Sequence, residues 1–223
     1  MGDMRFKCLI FDLDGTLVDT IGDIAAAMNH ALEEGGFPAL SREMYAKIVG
    51  NGLKNLATLA LPPAARDEKT VDTVFRSAVA YYEDHPADIS RPYPGIPELA
   101  AELRRKKIKS AVLSNKADSI SQLVIGKLFS PYTFDIILGE RPGLPRKPDP
   151  ASTWELIAEL DSSPRETLFI GDSEVDVATA RAAECSFLGV SWGFRGRSVL
   201  EAAGAERIID DPAELRELLS LRY

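Results

Sequence analysis

Short apolar runs recur along this chain with helix-like stretches between them, and that rhythm restricts the fold more than any other feature. The runs are Lys7 to Phe11, Ile108 to Leu113, Phe134 to Leu138, Thr167 to Ile170 and Ser186 to Val190, with a weaker one at Arg207 to Ile209. Segments of that length and near-continuous hydrophobicity read as strands covered on both faces, with helical patterning between most of them. Alternating strand and helix predicts an α/β fold: a mostly parallel sheet with right-handed crossovers.

One interval breaks the rhythm. From Phe11 to Ile108 the chain runs for roughly a hundred residues, whereas a crossover needs about a dozen or more. Helical patterns fall at Ile21–Glu34, Ser41–Val49, Leu53–Leu61 and Asp67–His85, the last with Val71, Val74, Phe75, Ala78, Val79 and Tyr82 at helical spacing. Ser41 reads as an N-cap, and Gly35-Gly36 and Gly50 as stops. No strand is expected there. The turn-rich segment from His85 to Pro97 returns the chain to the sheet. Residues 17–90 are therefore expected to form a small inserted helical domain, with 1–16 and 91–223 forming the sheet-bearing core.

In a parallel sheet the carboxyl ends lie along one edge, and ligands bind in the crevice beyond it. The first strand runs into Asp12-Leu13-Asp14-Gly15-Thr16, the second into Ser114-Asn115-Lys116 and the fourth into Gly171-Asp172-Ser173; Arg146-Lys147-Pro148 follows the third. Carboxylates, a hydroxyl and ammonium groups are thus delivered to one edge by four separate segments. An aspartate there can attack phosphorus and form an aspartyl phosphate. Two anions repel, so such an attack calls for a cation, and magnesium takes hard oxygen ligands of this kind. Asp12 and Asp172 are the expected carboxylate ligands, with a backbone carbonyl near Asp14 as a third. Lys147 would neutralise charge on the transferring group and Ser114 would hold one of its oxygens. Asp14 would protonate the leaving oxygen and then activate water, while Gly15 lets the backbone turn closely around the phosphate.

Each piece alone has an ordinary reading. Asp-x-Asp-Gly-Thr is a turn signal, and Ser114-Asn115 ends a strand or caps a helix. A lysine before proline is commonly a solvated loop residue, and Asp172, Ser173 and Asp176 suit the first turn of a helix. Their joint occurrence in order at successive strand ends carries the argument. His30 and His85 fall in the helical insertion and make no Ser-His-Asp or zinc set; both read as solvent-facing. Phe75, Tyr81 and Tyr82 read as helix packing, and Gly50-Asn51-Gly52 is too short for a P-loop. With 26 Lys and Arg against 34 Asp and Glu, the net charge of -8 argues against nucleic acid and against an anionic membrane surface as partners. Cys8 and Cys185 form no disulfide or zinc pattern, so a reducing compartment is expected. With no leader-like or membrane-spanning run, the expected location is cytoplasmic.

These motifs together resemble the haloacid dehalogenase superfamily of phosphohydrolases over essentially the whole chain: Asp12-Leu13-Asp14-Gly15-Thr16, Ser114-Asn115, Lys147-Pro148, and Gly171-Asp172 with Asp176. The resemblance implies a Rossmann-like core with a helical cap inserted after the first motif, magnesium held by Asp12, Asp14 and Asp172, and Asp176 and Ser173 in supporting positions. It implies Asp12 as nucleophile and Asp14 as general acid and base; dehalogenases lack the second aspartate, so its presence points to phosphoryl transfer. The phosphoglycolate phosphatase-like subgroup is the most similar, through the run Phe11 to Thr20, the cap loop Val49-Gly50-Asn51-Gly52, Tyr93-Pro94-Gly95 and Arg146-Lys147-Pro148-Asp149-Pro150. Leu59 stands where that subgroup usually has an arginine, and Gly139 to Gly143 departs from its acidic pattern. The implied partner is a small phosphorylated metabolite, with 2-phosphoglycolate leading, contacted by Gly15, Thr16, Asn115 and the loop residues Gly50, Asn51, Gly52 and Lys54. The assembly is expected to be a monomer or homodimer. Rival readings are a sugar-phosphate mutase, a nucleotidase or pyrophosphatase, and a non-catalytic binding protein on the same fold.

Overall fold

The computed structural model describes residues 6–219. The chain enters through β1 (Cys8–Phe11), makes the short β2 (Val18–Asp19), and runs through α1 (Ile21–Glu34), α2 (Arg42–Ile48), α3 (Leu53–Ala60) and α4 (Glu68–Asp84). It returns by β3 (Arg91–Pro92), then α5 (Ile96–Arg105), β4 (Lys109–Ala117), α6 (Asp118–Leu128), β5 (Ile136–Glu140) and α7 (Ala151–Glu159). The last part is β6 (Thr167–Gly171), α8 (Glu174–Ala182), β7 (Ser186–Val190), α9 (Arg197–Ala202), β8 (Ile208–Ile209) and α10 (Pro212–Leu218).

Six strands form one sheet in the order β5-β4-β1-β6-β7-β8. Every pairing in it is parallel. The period of two sorts side chains to two layers. Leu9 and Phe11 of β1, Val112 of β4, and Leu168 and Ile170 of β6 face one layer with α5, α6 and the inserted helices. Cys8, Ile10, Ala111, Leu113 and Phe169 face the other, against Leu156, Ile157 and Leu160 around α7 and Ala180 of α8. Burial on both faces explains why the sequence runs are continuously apolar. This is the expected Rossmann-like α/β core.

The insertion packs Ile24, Met28 and Leu32 of α1, Tyr45 of α2, Leu56 of α3, and Val71, Val74, Ala78 and Tyr82 of α4 together, continuous with the apolar layer on that face of the sheet. Two of its helix starts carry side-chain caps, the first of them the expected Ser41. Ser41 accepts from the Met44 amide at 3.3 Å, and Asp67 from the Thr70 amide at 3.1 Å. The two polypeptide links to the core are β2 and β3, paired antiparallel with Val18 opposite Pro92 and Asp19 opposite Arg91. Buried Asp23 of α1 ties the returning chain down, accepting from the Ile89 amide at 3.0 Å and the Ser90 amide at 2.7 Å.

Two details depart from expectation. The β2–β3 ribbon lies where no strand was anticipated; two residues per strand are too few to show an alternating pattern. And β4 continues past Leu113 to Ala117, with an irregularity between those residues before Ala117 pairs with Glu140. Ser114, Asn115 and Lys116 therefore lie within the strand rather than after it. Among the described residues, no helix is long and apolar enough to cross a membrane.

Candidate active site

Because β1 lies in the middle of the sheet, Asp12 emerges at the centre of the carboxyl edge, flanked by the ends of β4 and β6. Asp12, Asp172 and Asp176 each place a carboxylate oxygen within 4.8 Å of the others, and all three residues are buried. Into this cluster reaches one ammonium. Lys147 Nζ donates to Asp12 Oδ1 and to Asp176 Oδ1, both at 2.8 Å.

Local rules place each group. Ser173 caps α8 in a capping box, and the other partner in that box is Asp176. Asp176 Oδ2 accepts from the Ser173 amide at 3.1 Å and the Ser173 hydroxyl at 2.6 Å, so both its oxygens are occupied. Asp172 Oδ2 accepts from the Phe194 amide at 2.7 Å. Gly15, at φ +86°, brings bare backbone against Asp172; a Cβ there would lie 2.8 Å from the Asp172 Cγ. Lys147 is fixed by Asn115, whose Oδ1 accepts from the Lys147 amide at 2.9 Å while its Nδ2 donates to the Lys147 carbonyl at 3.0 Å.

The electrostatics are those of crowded carboxylates. Burial, then the charge of Asp176, raises Asp12 to about 7, although Lys147 opposes the shift. Burial, then Asp12 and Asp176, pushes Asp172 well above the ordinary carboxylate range. Burial works against the Lys147 ammonium, but Asp12 and Asp176 outweigh it and hold the lysine above its usual value. Three carboxylates against one ammonium leave negative charge in a buried site. All the donors are hard oxygens; Lys147 engages Asp12 at Oδ1 and Phe194 engages Asp172 at Oδ2, which leaves the other oxygen of each carboxylate for a cation. That donor set fits a hard divalent metal ion.

A second buried ion pair adjoins the first site. Asp14 Oδ2 meets Lys116 Nζ at 3.0 Å, and Asp14 Oδ1 accepts from the Thr20 hydroxyl at 2.6 Å. Lys116 also donates to the Tyr82 hydroxyl at 2.9 Å, linking β4 to α4 of the insertion. The Asp14 carboxylate thus stands outside the acidic cluster, turned to Lys116.

Above these groups is a cavity of about 60 Å³, walled by core residues Asp12, Asp14, Ser114 and Lys147 and by insertion residues Ile24, Gly50, Leu53 and Leu56. Gly50, Gly52, Asn115 and Ser173 border it as well. Four residues expected at the substrate, Gly15, Thr16, Asn51 and Lys54, do not line it. Lys54 pairs with Asp72 at 2.6 Å on the surface of the insertion. The Asn51 side chain is exposed, and only its carbonyl is engaged, accepting from Arg146 Nη1 at 2.8 Å. Thr16 is buried; its carbonyl accepts from Trp192 Nε1 at 3.1 Å. Asn115 borders the cavity with its amide group committed to backbone partners: its Nδ2 also donates to the Gly50 carbonyl at 3.0 Å. His30 and His85 are half exposed and stack on Tyr81.

Sequence reasoning brought Lys116 to the sheet edge without giving it a role, read Tyr82 as helix packing alone, and missed Arg195, which donates to the Ala46, Lys47 and Val49 carbonyls. A lysine inside an apolar strand beside a catalytic motif was the available signal for Lys116. For Arg195 there was none, since its acceptors in the insertion are backbone carbonyls.

The haloacid dehalogenase-like hydrolase family model matches residues 9–190. Phosphoglycolate phosphatase of Haemophilus influenzae (strain 86-028NP) is 32% identical over 221 residues, covering 96% of this chain and 99% of that protein. The phosphoglycolate phosphatase of Chromobacterium violaceum is 32% identical over 218 residues, covering 96% and 97%. The crystal structure of a putative phosphoglycolate phosphatase from Lactobacillus delbrueckii subsp. bulgaricus superposes with a TM-score of 0.90 at 34% identity, covering 96% of this chain and 98% of that one. With its central-strand aspartate, paired lysine and acidic cluster in that same fold, the chain belongs to the haloacid dehalogenase-like hydrolase family, as one of its phosphatases.

Proposed function

We propose that the protein is a magnesium-dependent phosphatase that hydrolyses a small phosphate monoester through an aspartyl phosphate on Asp12, with 2-phosphoglycolate the leading substrate. The observation that carries this reading is the Asp12–Lys147–Asp176 bridge beside Asp172 at the floor of a small cavity. Residues 17–90 act as the cap and 1–16 with 91–223 as the catalytic core.

Asp12 and Asp172 would hold the magnesium ion, with the backbone at Asp14 beside them. When bound, the ion supplies the positive charge that lets a carboxylate approach a phosphate. Lys147 fixes the Asp12 carboxylate through Oδ1, and one oxygen of that carboxylate attacks phosphorus in line with the leaving oxygen while the other would face the ion. The bond from phosphorus to the ester oxygen breaks as the bond to Asp12 forms, and Asp14, protonated from solvent in the reacting form, gives that proton to the departing alcohol. Asp14 then takes a proton from water, whose oxygen attacks phosphorus, releasing phosphate and restoring Asp12. Lys147 and Ser114 steady the equatorial oxygens in both steps. Asp176 and Ser173 keep Lys147 and the start of α8 in place. The restricted volume under the insertion favours a small monoester over a nucleotide.

Phosphate release from 2-phosphoglycolate, sugar phosphates, nucleotides and pyrophosphate, with and without magnesium, tests the reading. Magnesium-dependent release led by 2-phosphoglycolate and abolished in folded Asp12→Asn is expected. Isomerisation of a hexose phosphate without net release would replace it with the mutase reading, and preference for another ester would replace the substrate.

A further inference from the structure

Helix α2 ends at Ile48 with its final carbonyls pointing away from the helix, where they lack partners of their own. A residue of the core supplies them. Arg195, in the loop between β7 and α9, donates from Nη1 to the Ala46 carbonyl at 3.2 Å and the Lys47 carbonyl at 2.6 Å, and from Nη2 to the Val49 carbonyl at 2.8 Å. Its Nε faces Glu174 Oε2 at 3.3 Å, which sets the plane of the guanidinium. Two further core side chains continue the series. Asn115 donates to the Gly50 carbonyl at 3.0 Å and Arg146 to the Asn51 carbonyl at 2.8 Å. Five carbonyls between Ala46 and Asn51 are thus held by three core side chains. Gly52, at φ +79°, lets this backbone pass close by; a Cβ there would lie 3.0 Å from Glu140 Oε2.

In this arrangement Asp12 is only 7% exposed and Asp172 2%, so a phosphate ester reaches them only if the insertion moves away. The two links that permit such movement are the β2–β3 ribbon strands. We infer that Arg195 is the latch of the lid: its guanidinium sets the balance between closed and open forms by capping the carboxyl end of α2 from the opposite side of the cleft. A charged donor with three backbone acceptors holds this end of the insertion by charge-assisted hydrogen bonds. Arg195 is a positioning residue, and its effect falls on substrate capture and product release. The inference rests on the reading of the insertion as a lid, and the first measurement below is independent of any turnover.

Nitroxides at Met44→Cys on α2 and Ser198→Cys on α9, in a Cys185→Ser background, report the distance across the cleft. Arg195→Met is expected to lower the ratio of short to long distances by about tenfold, and Arg195→Lys by about threefold, because an ammonium cannot span the three acceptors. Arg146→Met, at an exposed position, is expected to give a smaller shift in the same direction, which provides a reading should Arg195→Met fold poorly. With a turned-over ester, KM should rise about tenfold in Arg195→Met while kcat changes far less, and Arg195→Lys should recover part of the loss. Distance distributions unchanged in all three variants would overturn the latch. So would equal losses in kcat and kcat/KM with the distribution unmoved.

Discussion

Lys116 and Asp14 form an ion pair of 3.0 Å with side chains only 6% and 17% exposed, and the same ammonium lies 4.4 Å from the centre of the Tyr82 ring. Burial works against the Lys116 charge, but Asp14 and Tyr82 outweigh it and raise its pKa. Removing one member of such a pair leaves an uncompensated charge in a poorly solvated place. Lys116→Met should therefore cost about 3 kcal/mol, at the lower end for a buried pair because Asp14 keeps some solvent, and Tyr82→Phe about 1 kcal/mol. The double variant Lys116→Met with Asp14→Asn should be less destabilised than the sum of its parts by at least about 1 kcal/mol. Urea unfolding of the four proteins measures this, and additive losses would count against a working pair.

Metal-free protein should lose stability as pH rises towards neutrality. Burial and neighbouring carboxylates raise Asp12 to about 7 and Asp172 well above the ordinary range, so between that range and about pH 7 the folded state binds more protons than the unfolded chain. Stability then falls with increasing pH until these groups are ionised, and the penalty is fully present above that point. Magnesium should offset it most at the alkaline end, because it binds the ionised carboxylates. Thermal midpoints in chelator at about pH 5.5 and about pH 8, with and without added magnesium, test the sign. Asp172→Asn should flatten the slope; a chelated protein more stable at the higher pH would contradict the account.

Gly15→Ala should damage the acidic cluster without touching a carboxylate. At φ +86° a Cβ costs about 1–2 kcal/mol in backbone strain, and this one would collide with the Asp172 carboxylate. Magnesium affinity, read by calorimetry, should drop at least about tenfold because a ligand is displaced. Unchanged affinity would mean that Asp172 does not bind the ion.

Neither cysteine should react in the native state. Burial pushes the Cys8 thiol up to about 11 and the Cys185 thiol up to about 12. Below pH 9 the thiolate is a minute fraction of either, and only the thiolate is nucleophilic. Iodoacetamide near pH 8 should label both only after denaturant is added. Rapid native labelling of Cys185 would show that its surroundings are wetter than the packing suggests.

The sheet and the four inserted helices were legible because each depends on a repeating pattern: apolar runs for strands buried on both faces, and spaced apolar residues for helices, with Ser41 as a cap. Asp12, Asp172 and Lys147 were legible because strand ends in a parallel sheet share an edge. Asp176 could be read as an ordinary first-turn acid, and it is one, yet the same capping box aims its other oxygen at Lys147. What escaped was set by long-range geometry. Lys54 lay in the right segment, but one helix face turns it to Asp72. Lys116 was placed beyond the strand when the strand runs through it. The Arg195 contacts leave no imprint on the residues they hold.

That last point bears on how such a protein can change. Because three core side chains hold positions 46–51 by main-chain oxygens, the side chains at those positions are not what this grip reads. Mutation can redraw the face this loop turns to a ligand while its fastening stays intact. If the insertion is the lid proposed above, selectivity and closure would be separately heritable traits.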